Sequence, residues 1–325
     1  MESERRRFSY HPGKTVGGTL RSTIVAQANR HPGDPDAADV PWSVLNRAEL
    51  AGRAARTLSA SPRPFVRWAG SKQRLLSQLV EHLPVRFKTY YEPFLGAGSM
   101  YFLLQPERAR LNDSCAPLMA MYETVRSAPE RVLDALDGMD VLDREYYYRV
   151  RASQSGDRVE EAARFLYLNR ASWNGLYRVN ARGQFNVPYG RPKSPVIVER
   201  QHLVDAASQL RRGDTRLTTL DFEDALEGAG EGDLVFLDPP YASSKRREGF
   251  VDYNATLFTW EDQERLARVA DRLSSAGAHV IVTNAYNTAI RALYPGFREH
   301  ALVRRSSLAS DTRRRRPVAE SVLVS

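Results

Sequence analysis

Two stretches of the sequence concentrate groups able to do chemistry. The first, Glu92-Pro93-Phe94-Leu95-Gly96-Ala97-Gly98, carries a strand-like segment into a glycine-bearing turn, and a carboxylate, Asp113, closes the next such segment. Glycines let backbone approach a ligand closely, and a carboxylate beyond the second strand accepts hydrogen bonds from both hydroxyls of a ribose. The competing reading is a tight turn with a solvated Asp nearby. The second stretch is Asp238-Pro239-Pro240-Tyr241, directly after the apolar run Leu234–Leu237. Two prolines fix φ and remove two backbone donors, so nearby carbonyls face a ligand as acceptors without competing N–H groups. A carboxylate and such a carbonyl together accept both hydrogens of a planar exocyclic amine, and the Tyr241 ring offers a stacking surface. Here the competing reading is a rigid turn that only terminates a buried strand.

Both stretches need strands to hold them. The pattern predicts strands at residues 89–94, 109–112, 234–237 and 279–282, with strand-like pieces at 301–304 and 318–324. Leu75, Leu76, Leu79, Val80 and Leu83 recur with helical spacing, so a helix is expected from Ser71 as cap to Pro84 as stop, with Lys72 in its first turn. Thr259 and Asp262 form a capping box for a helix reaching about Ser275. Residues 117–210 read as helix-rich, except that 173–188 turns polar, aromatic and glycine-bearing, as a hairpin or ordered loop does. The first 60 residues are rich in turn formers and read as a loosely ordered extension with one short helix near 43–58. Strands alternating with helices at both ends of the chain predict an α/β fold with a mostly parallel sheet, interrupted by a helical module.

Composition narrows the class. The 325 residues are 26% charged and 42% hydrophobic, a globular balance that excludes disorder throughout. A single cysteine, Cys115, excludes a disulfide framework, and six scattered histidines without close His/Cys pairing speak against a structural zinc site, so no metal is expected. No apolar run approaches the roughly 18 residues of a membrane span, and the start of the chain lacks the apolar stretch of a secretory signal. A cytoplasmic location is the expectation.

With these residues in view, the chain resembles the amino-directed DNA adenine methyltransferases of the Dam type. That family has a Phe-x-x-Trp-Ala-Gly-x-Lys motif, a Glu-Pro-Phe-x-Gly-x-Gly motif and a later Asp-Pro-Pro-Tyr. All occur here in that order, as Phe65 with Trp68-Ala69-Gly70-Ser71-Lys72, as the 92–98 segment, and as 238–241. Residues 165–170, 173–178 and 183–188 are similar to the family's DNA-contacting segment. The resemblance spans about 64–325. It implies a Rossmann-like class I methyltransferase sheet with an inserted, mostly helical DNA-recognition module. The expected divisions are an extension at 1–60, a cofactor half at 61–140, a target-recognition insert at 141–216 and a catalytic half at 217–325.

The implied activity is methyl transfer from S-adenosylmethionine to the N6 amine of adenine in double-stranded DNA, with the base flipped out of the stack. Asp238 and Pro239 would activate the amine, Pro240 would shape the turn and Tyr241 would clamp the base. For the cofactor, Lys72 at a helix N-terminus suits the methionine carboxylate and Asp113 the ribose, with Trp68, Phe94, Gly96 and Gly98 lining the pocket. Asp221-Phe222 resembles a further cofactor-side motif, and Asp238 borders the same pocket. Core packing is the plainer reading of both aromatics. On the DNA side, Trp173 could wedge into the stack and Arg178 has the fork geometry for a guanine edge, with Asn174 and Arg67 close to the DNA. A buried Trp and a phosphate-contacting Arg are the competing assignments. Residues 171–173 and 177–181 depart from the pattern of a GATC-reading segment, so no recognition sequence follows.

Cytosine in DNA, adenine in RNA, or a non-catalytic nucleic-acid-binding homologue are the other readings. Asp rather than Ser before Pro-Pro-Tyr favours adenine. A monomer is expected when free, and a cognate restriction endonuclease is a conceivable partner. The net charge of +8 is unevenly spread. Residues 144–216 carry 14 basic and 7 acidic groups, a net of +7, and Arg313 to Arg316 add a basic run, as phosphate contacts from one face require.

Overall fold

Leu234-Val235-Phe236-Leu237 is too short for a helix and apolar on both faces, the composition of a strand covered on both sides. It forms the centre of the sheet. The computed structural model describes residues 41–56, 61–241, 258–305 and 317–325. Expectations for residues 1–40, 57–60 and the arginine run 313–316 lie outside them.

In chain order the elements are β1 (Ser43–Val44), α1 (Arg47–Ala55), α2 (Leu76–Leu79), β2 (Arg86–Phe87), β3 (Tyr90–Glu92), α3 (Ser99–Leu104) and β4 (Arg108–Asn112). There follow α4 (Ala116–Ser127), α5 (Pro129–Leu136), α6 (Arg144–Ala152), α7 (Arg158–Ala171) and α8 (Arg200–Arg211). The chain then runs through β5 (Asp214–Thr218), β6 (Leu234–Leu237), α9 (Trp260–Ser275), β7 (His279–Ala285), α10 (Thr288–Ala292), β8 (Arg298–Arg305) and β9 (Pro317–Val324).

Among the described residues, seven strands form one sheet in the order β5-β4-β3-β6-β7-β9-β8. β5, β4, β3, β6 and β7 are parallel, and the β8–β9 hairpin adds antiparallel to β7. This is a Rossmann-like α/β sheet. The strand order reverses between β3 and β6, the switch point beyond whose carboxyl ends open α/β sheets bind ligands. Alternation along the strands feeds two cores. Leu234, Phe236 and Ile281 join one cluster with the α1–α8 side, while Val235, Leu237, Val280 and Val282 join the other beneath α9.

Three expectations are revised. Residues 41–56 belong to the folded body and contain the short helix expected near 43–58 as α1: β1 pairs with β2, Asn46 caps α1, and Leu45, Leu50 and Ala54 are buried in the main core. Apolar anchoring outweighs turn-rich composition there. The helix expected from Ser71 is broken into 3₁₀ turns at Lys72–Arg74 and Val80–His82 flanking α2. Ser71 does not cap it, because its hydroxyl meets that of Ser99 at 2.9 Å. The leucines are still buried on one side, so the spacing was a packing signal more than a helix signal. Finally, β5 begins at Asp214, so the insert gives way to the main sheet before residue 216. The insert has no core of its own, since α7 and α8 contribute to the cluster that contains β3 and β4.

Candidate active site

The carboxyl ends of β6 and β7 meet at one largely buried ionic group. Asp238, the first residue after β6, presents both carboxylate oxygens to Lys72 Nζ, at 2.6 Å for Oδ1 and 2.7 Å for Oδ2. Lys72 also donates to the Gly70 carbonyl at 2.9 Å. Thr283 Oγ1 donates to Asp238 Oδ1 at 2.7 Å. Its position follows from register: Leu237 pairs with Val282, so Asp238 and Thr283 are the next pair along parallel strands. A carboxylate has about four acceptor positions, and these three contacts leave about one for an incoming donor. Burial pushes the Asp238 carboxyl up, while the Lys72 ammonium and the Thr283 hydroxyl pull it down.

A second carboxylate stands behind the pair. Glu320 Oε2 accepts from the Tyr241 hydroxyl at 2.6 Å and lies 3.9 Å from Lys72 Nζ, and Lys72 sits 5.0 Å from the Tyr241 ring centroid. Glu320 reaches the site because β9 runs antiparallel to β7 with Ala285 opposite Glu320. The Pro240 carbonyl accepts from Gln263 Nε2 at 3.2 Å, and Asn284 Nδ2 donates to Gln263 Oε1 at 2.9 Å. Thr283, Glu320, Gln263 and Asn284 were not found by sequence reasoning. The signal lay in polar residues within buried strand and helix faces, readable only once strand register is known.

The glycine turn is held from several sides. Asp113 Oδ2 accepts from the Gly96 N–H and Oδ1 from the Cys115 N–H, both at 2.9 Å, while Tyr122 donates to the Gly96 carbonyl at 3.0 Å. Each Asp113 oxygen retains acceptor capacity. Burial raises its carboxyl and the two N–H groups oppose that. Gly96 has φ +48°, and a Cβ there would lie 2.6 Å from Trp68 Cδ1. Gly98 is likewise left-handed, φ +65°, with Leu95 and Phe102 close by. The glycines thus answer to packing within the chain as well as to any ligand. Below the turn, Glu92 is fully buried and accepts from the Tyr90 hydroxyl at 2.8 Å. Burial drives its carboxyl up to about 8.

Trp68 joins the two halves of the molecule. Its ring lies over Gly96 and stacks on Tyr177 and Phe165 of the insert, with centroids 5.8 and 6.4 Å away. Beside it, Asn169 exchanges hydrogen bonds with the Arg67 backbone and donates to the Gly175 carbonyl, docking the Arg67 segment on the insert. Phe94 and Phe222 form an aromatic cluster with Phe258, at 5.5 to 5.8 Å between centroids. The Asp221 carboxylate is engaged by Arg265 at 2.5 Å, and Arg265 lies over Phe222 at 4.3 Å. The group expected at Lys72, Asp113, Phe94 and Asp238 therefore surrounds one end of the sheet, with Asp221 committed to an ion pair at its edge.

On the insert, Trp173 and Asn174 are exposed in a 3₁₀ turn, with Asn174 left-handed at φ 54°. Trp173 is 50% exposed, unusual for so large an apolar ring. Residues 172–189 form the expected hairpin, with bridges Val179 to Phe185 and Ser172 to Tyr189. Arg178 projects from it, exposed, with Nε donating to Asn186 Oδ1 at 2.7 Å. A cleft of about 790 Å³ opens between α4, α7 and this hairpin. Its walls include Pro117 and Thr219, next to the Asp113 and Asp221 loops, but neither Asp113 nor Asp238 lines it. Some of the insert's arginines are held in ion pairs: Arg164 with Glu161, Arg216 with Asp214, and Arg200 with Glu130, the last two at the surface.

Comparison with known proteins identifies the family. Residues 68–308 match the family described as D12 class N6 adenine-specific DNA methyltransferase. The chain is 35% identical over 247 residues to the type II methyltransferase M1.LlaDCHI of Lactococcus lactis subsp. cremoris, covering 74% of this chain and 87% of that protein. It is 34% identical over 258 residues to the type II methyltransferase M.MjaIII of Methanocaldococcus jannaschii, covering 72% and 89%. Against the DNA adenine methylase of Escherichia coli it is 32% identical over 265 residues, covering 79% and 93%.

Proposed function

The chain belongs to the D12 class of N6 adenine-specific DNA methyltransferases, and on that premise we propose that Asp238 is the acceptor that receives the adenine amine. The single observation carrying this is Asp238 itself: a carboxylate only 18% exposed at the switch point, held by Lys72 and Thr283 with about one acceptor position to spare.

The amine lone pair of adenine is delocalised into the ring, so the amine is a poor nucleophile. Asp238 accepts one of its hydrogens and the Pro239 carbonyl the other. The Pro240 carbonyl is engaged by Gln263, which supports Pro239 as the carbonyl in play. Accepting both hydrogens favours the pyramidal nitrogen that develops as the reaction proceeds, which is stabilisation specific to the transition state. The new bond joins N6 to the methyl carbon, and the carbon–sulfur bond of the donor breaks. N6 then carries one proton too many, and Asp238, its proton affinity raised by burial, takes it.

S-adenosylmethionine is the donor implied by the family, supplying an electrophilic methyl group on a cationic sulfur. The residues present fit it. Asp113 has acceptor capacity for a ribose diol, Phe94 and Phe222 give an aromatic wall, and anionic Asp113, Asp238 and Glu320 outnumber the single cation Lys72. Lys72 already donates to the Gly70 carbonyl and to Asp238, so a cofactor carboxylate competes with Asp238 for its charge. Trp68, Gly96 and Gly98 shape the floor of this site, and Asp221 steadies its rim through Arg265.

Duplex DNA is the substrate, and the N6 atom is out of reach inside the helix, so the base is flipped. Exposed Trp173 fills the gap left in the stack, and Tyr241 stacks on the extruded ring. Arg178 and Asn174 present polar groups to the DNA from the same insert, and Arg67 from the segment docked beside it. Asp238→Ala is expected to abolish methyl transfer while cofactor binding by calorimetry persists; undiminished transfer would remove Asp238 from its role. Trp173→Ala is expected to reduce the rise in 2-aminopurine fluorescence at the target position, and an unchanged rise would dismiss Trp173.

A further inference from the structure

We propose that Glu320, on the last strand, is a positioning residue for methyl transfer: its carboxylate shares Lys72 with Asp238 and tethers the Tyr241 ring. This rests on the reading of Asp238 as the acceptor of the amine.

A polar residue in an antiparallel hairpin strand ordinarily faces water. Glu320 is instead only 2% exposed, turned to the carboxyl end of β7, where it meets Tyr241 at 2.6 Å and Lys72 at 3.9 Å. Burying a carboxylate is costly unless it is paired and hydrogen-bonded, and Lys72 and Tyr241 of the site meet both conditions. The charge count gives the reason. Lys72 against Asp238 alone is a neutral pair, and an ammonium touching both carboxylate oxygens weakens Asp238 as an acceptor. With Glu320 included, Lys72, Asp238 and Glu320 together set one cation against two anions, a net of −1 among the three. That residual negative potential stands where positive charge gathers on N6 and where the donor carries its own positive charge, the preorganised electrostatics that favour a transition state. The tether acts on a second feature: with its hydroxyl fixed, the Tyr241 ring has one orientation for the extruded base.

Glu320→Gln separates this role from simple packing, because the amide oxygen still accepts from Tyr241 while the charge is gone. Three changes are expected together. The first is kcat lower by about tenfold with KM for DNA unchanged. The second is an acidic limb of kcat moved to lower pH, since a like charge that raised the Asp238 carboxyl has been removed. The third is independent of turnover: calorimetric binding of S-adenosylmethionine weakens relative to S-adenosylhomocysteine, which lacks the positive sulfur. Glu320→Asp is expected to restore the preference for the cationic ligand in part. A Gln variant matching the wild type in all three, while Asp238→Ala remains inactive, would make Glu320 a packing residue and leave the role of Asp238 standing. Transfer by Asp238→Ala would instead overturn the reading beneath it. Should Glu320→Gln not fold, Tyr241→Phe, which keeps the ring and cuts only the tether, is expected to lower kcat at unchanged cofactor binding, and wild-type kcat there would refute the tether.

Discussion

Thr283→Val probes the carboxylate with little disturbance to the fold. Thr283 is fully buried on β7, a strand position that suits valine, and its hydroxyl donates to Asp238 Oδ1 at 2.7 Å. A hydrogen bond to a charged group contributes about 1.5–3 kcal/mol. The bond favours the ionised form of Asp238, so losing it raises the carboxyl further by about 1–2 pH units, at about 1.4 kcal/mol per unit. The acidic limb of the kcat profile therefore moves to higher pH by that amount. Below the limb the variant is slower by about 10-fold to 100-fold, whereas well above it most of the rate returns. Transfer of a tritiated methyl group to duplex DNA from pH 5 to 9 measures this, with thermal unfolding as the control for fold. A limb that stays in place or moves to lower pH would refute the assignment of Thr283 and Asp238 as a working pair.

Other expectations follow from the buried groups. Glu92, with its carboxyl up at about 8, holds in the folded chain a proton that the unfolded chain releases near 4.5. Its contribution to stability is therefore complete below 4.5 and is lost as pH rises to 8, on the order of 5 kcal/mol across that window. Glu92→Gln should remove this slope and exceed the wild type in urea unfolding at pH 9; an unchanged slope would place the titration elsewhere. Gly96→Ala forces a left-handed alanine, about 1–2 kcal/mol, and drives Trp68 aside. Lower stability and weaker cofactor binding by calorimetry are expected, and wild-type values in both would contradict the contact. A chain starting at residue 61 loses the buried Leu45 and Leu50, about 3–6 kcal/mol at 1.5–3 kcal/mol per leucine. Urea unfolding of that truncation checks it, and full stability would show that residues 41–56 do not anchor the fold.

What was legible in the sequence is what lies close together along it. The 92–98 turn and the 238–241 motif each place their chemistry within a few residues at a strand end, and the sheet brings both to its switch point. The helix from Thr259 was readable from its capping box, which the structure contains. Thr283 and Glu320 were hidden because only strand register carries them to Asp238, from 45 and 82 positions away. Strand β5, Asp-Thr-Arg-Leu-Thr, escaped notice because an edge strand needs only one apolar face, and two of its five residues are charged. At Lys72 the local pattern pointed to a helix start, but its ammonium is drawn to Gly70 and Asp238 in a 3₁₀ turn. Tertiary pairing decided the geometry there.

The most direct measurement is made on the product. Expression of the chain in a host lacking DNA methylation, followed by base-resolution mapping of modified nucleotides, should yield N6-methyladenine confined to one recurring sequence, and none with Asp238→Ala. N4-methylcytosine, or N6-methyladenine undiminished by Asp238→Ala, would contradict the role of Asp238 as acceptor of the adenine amine.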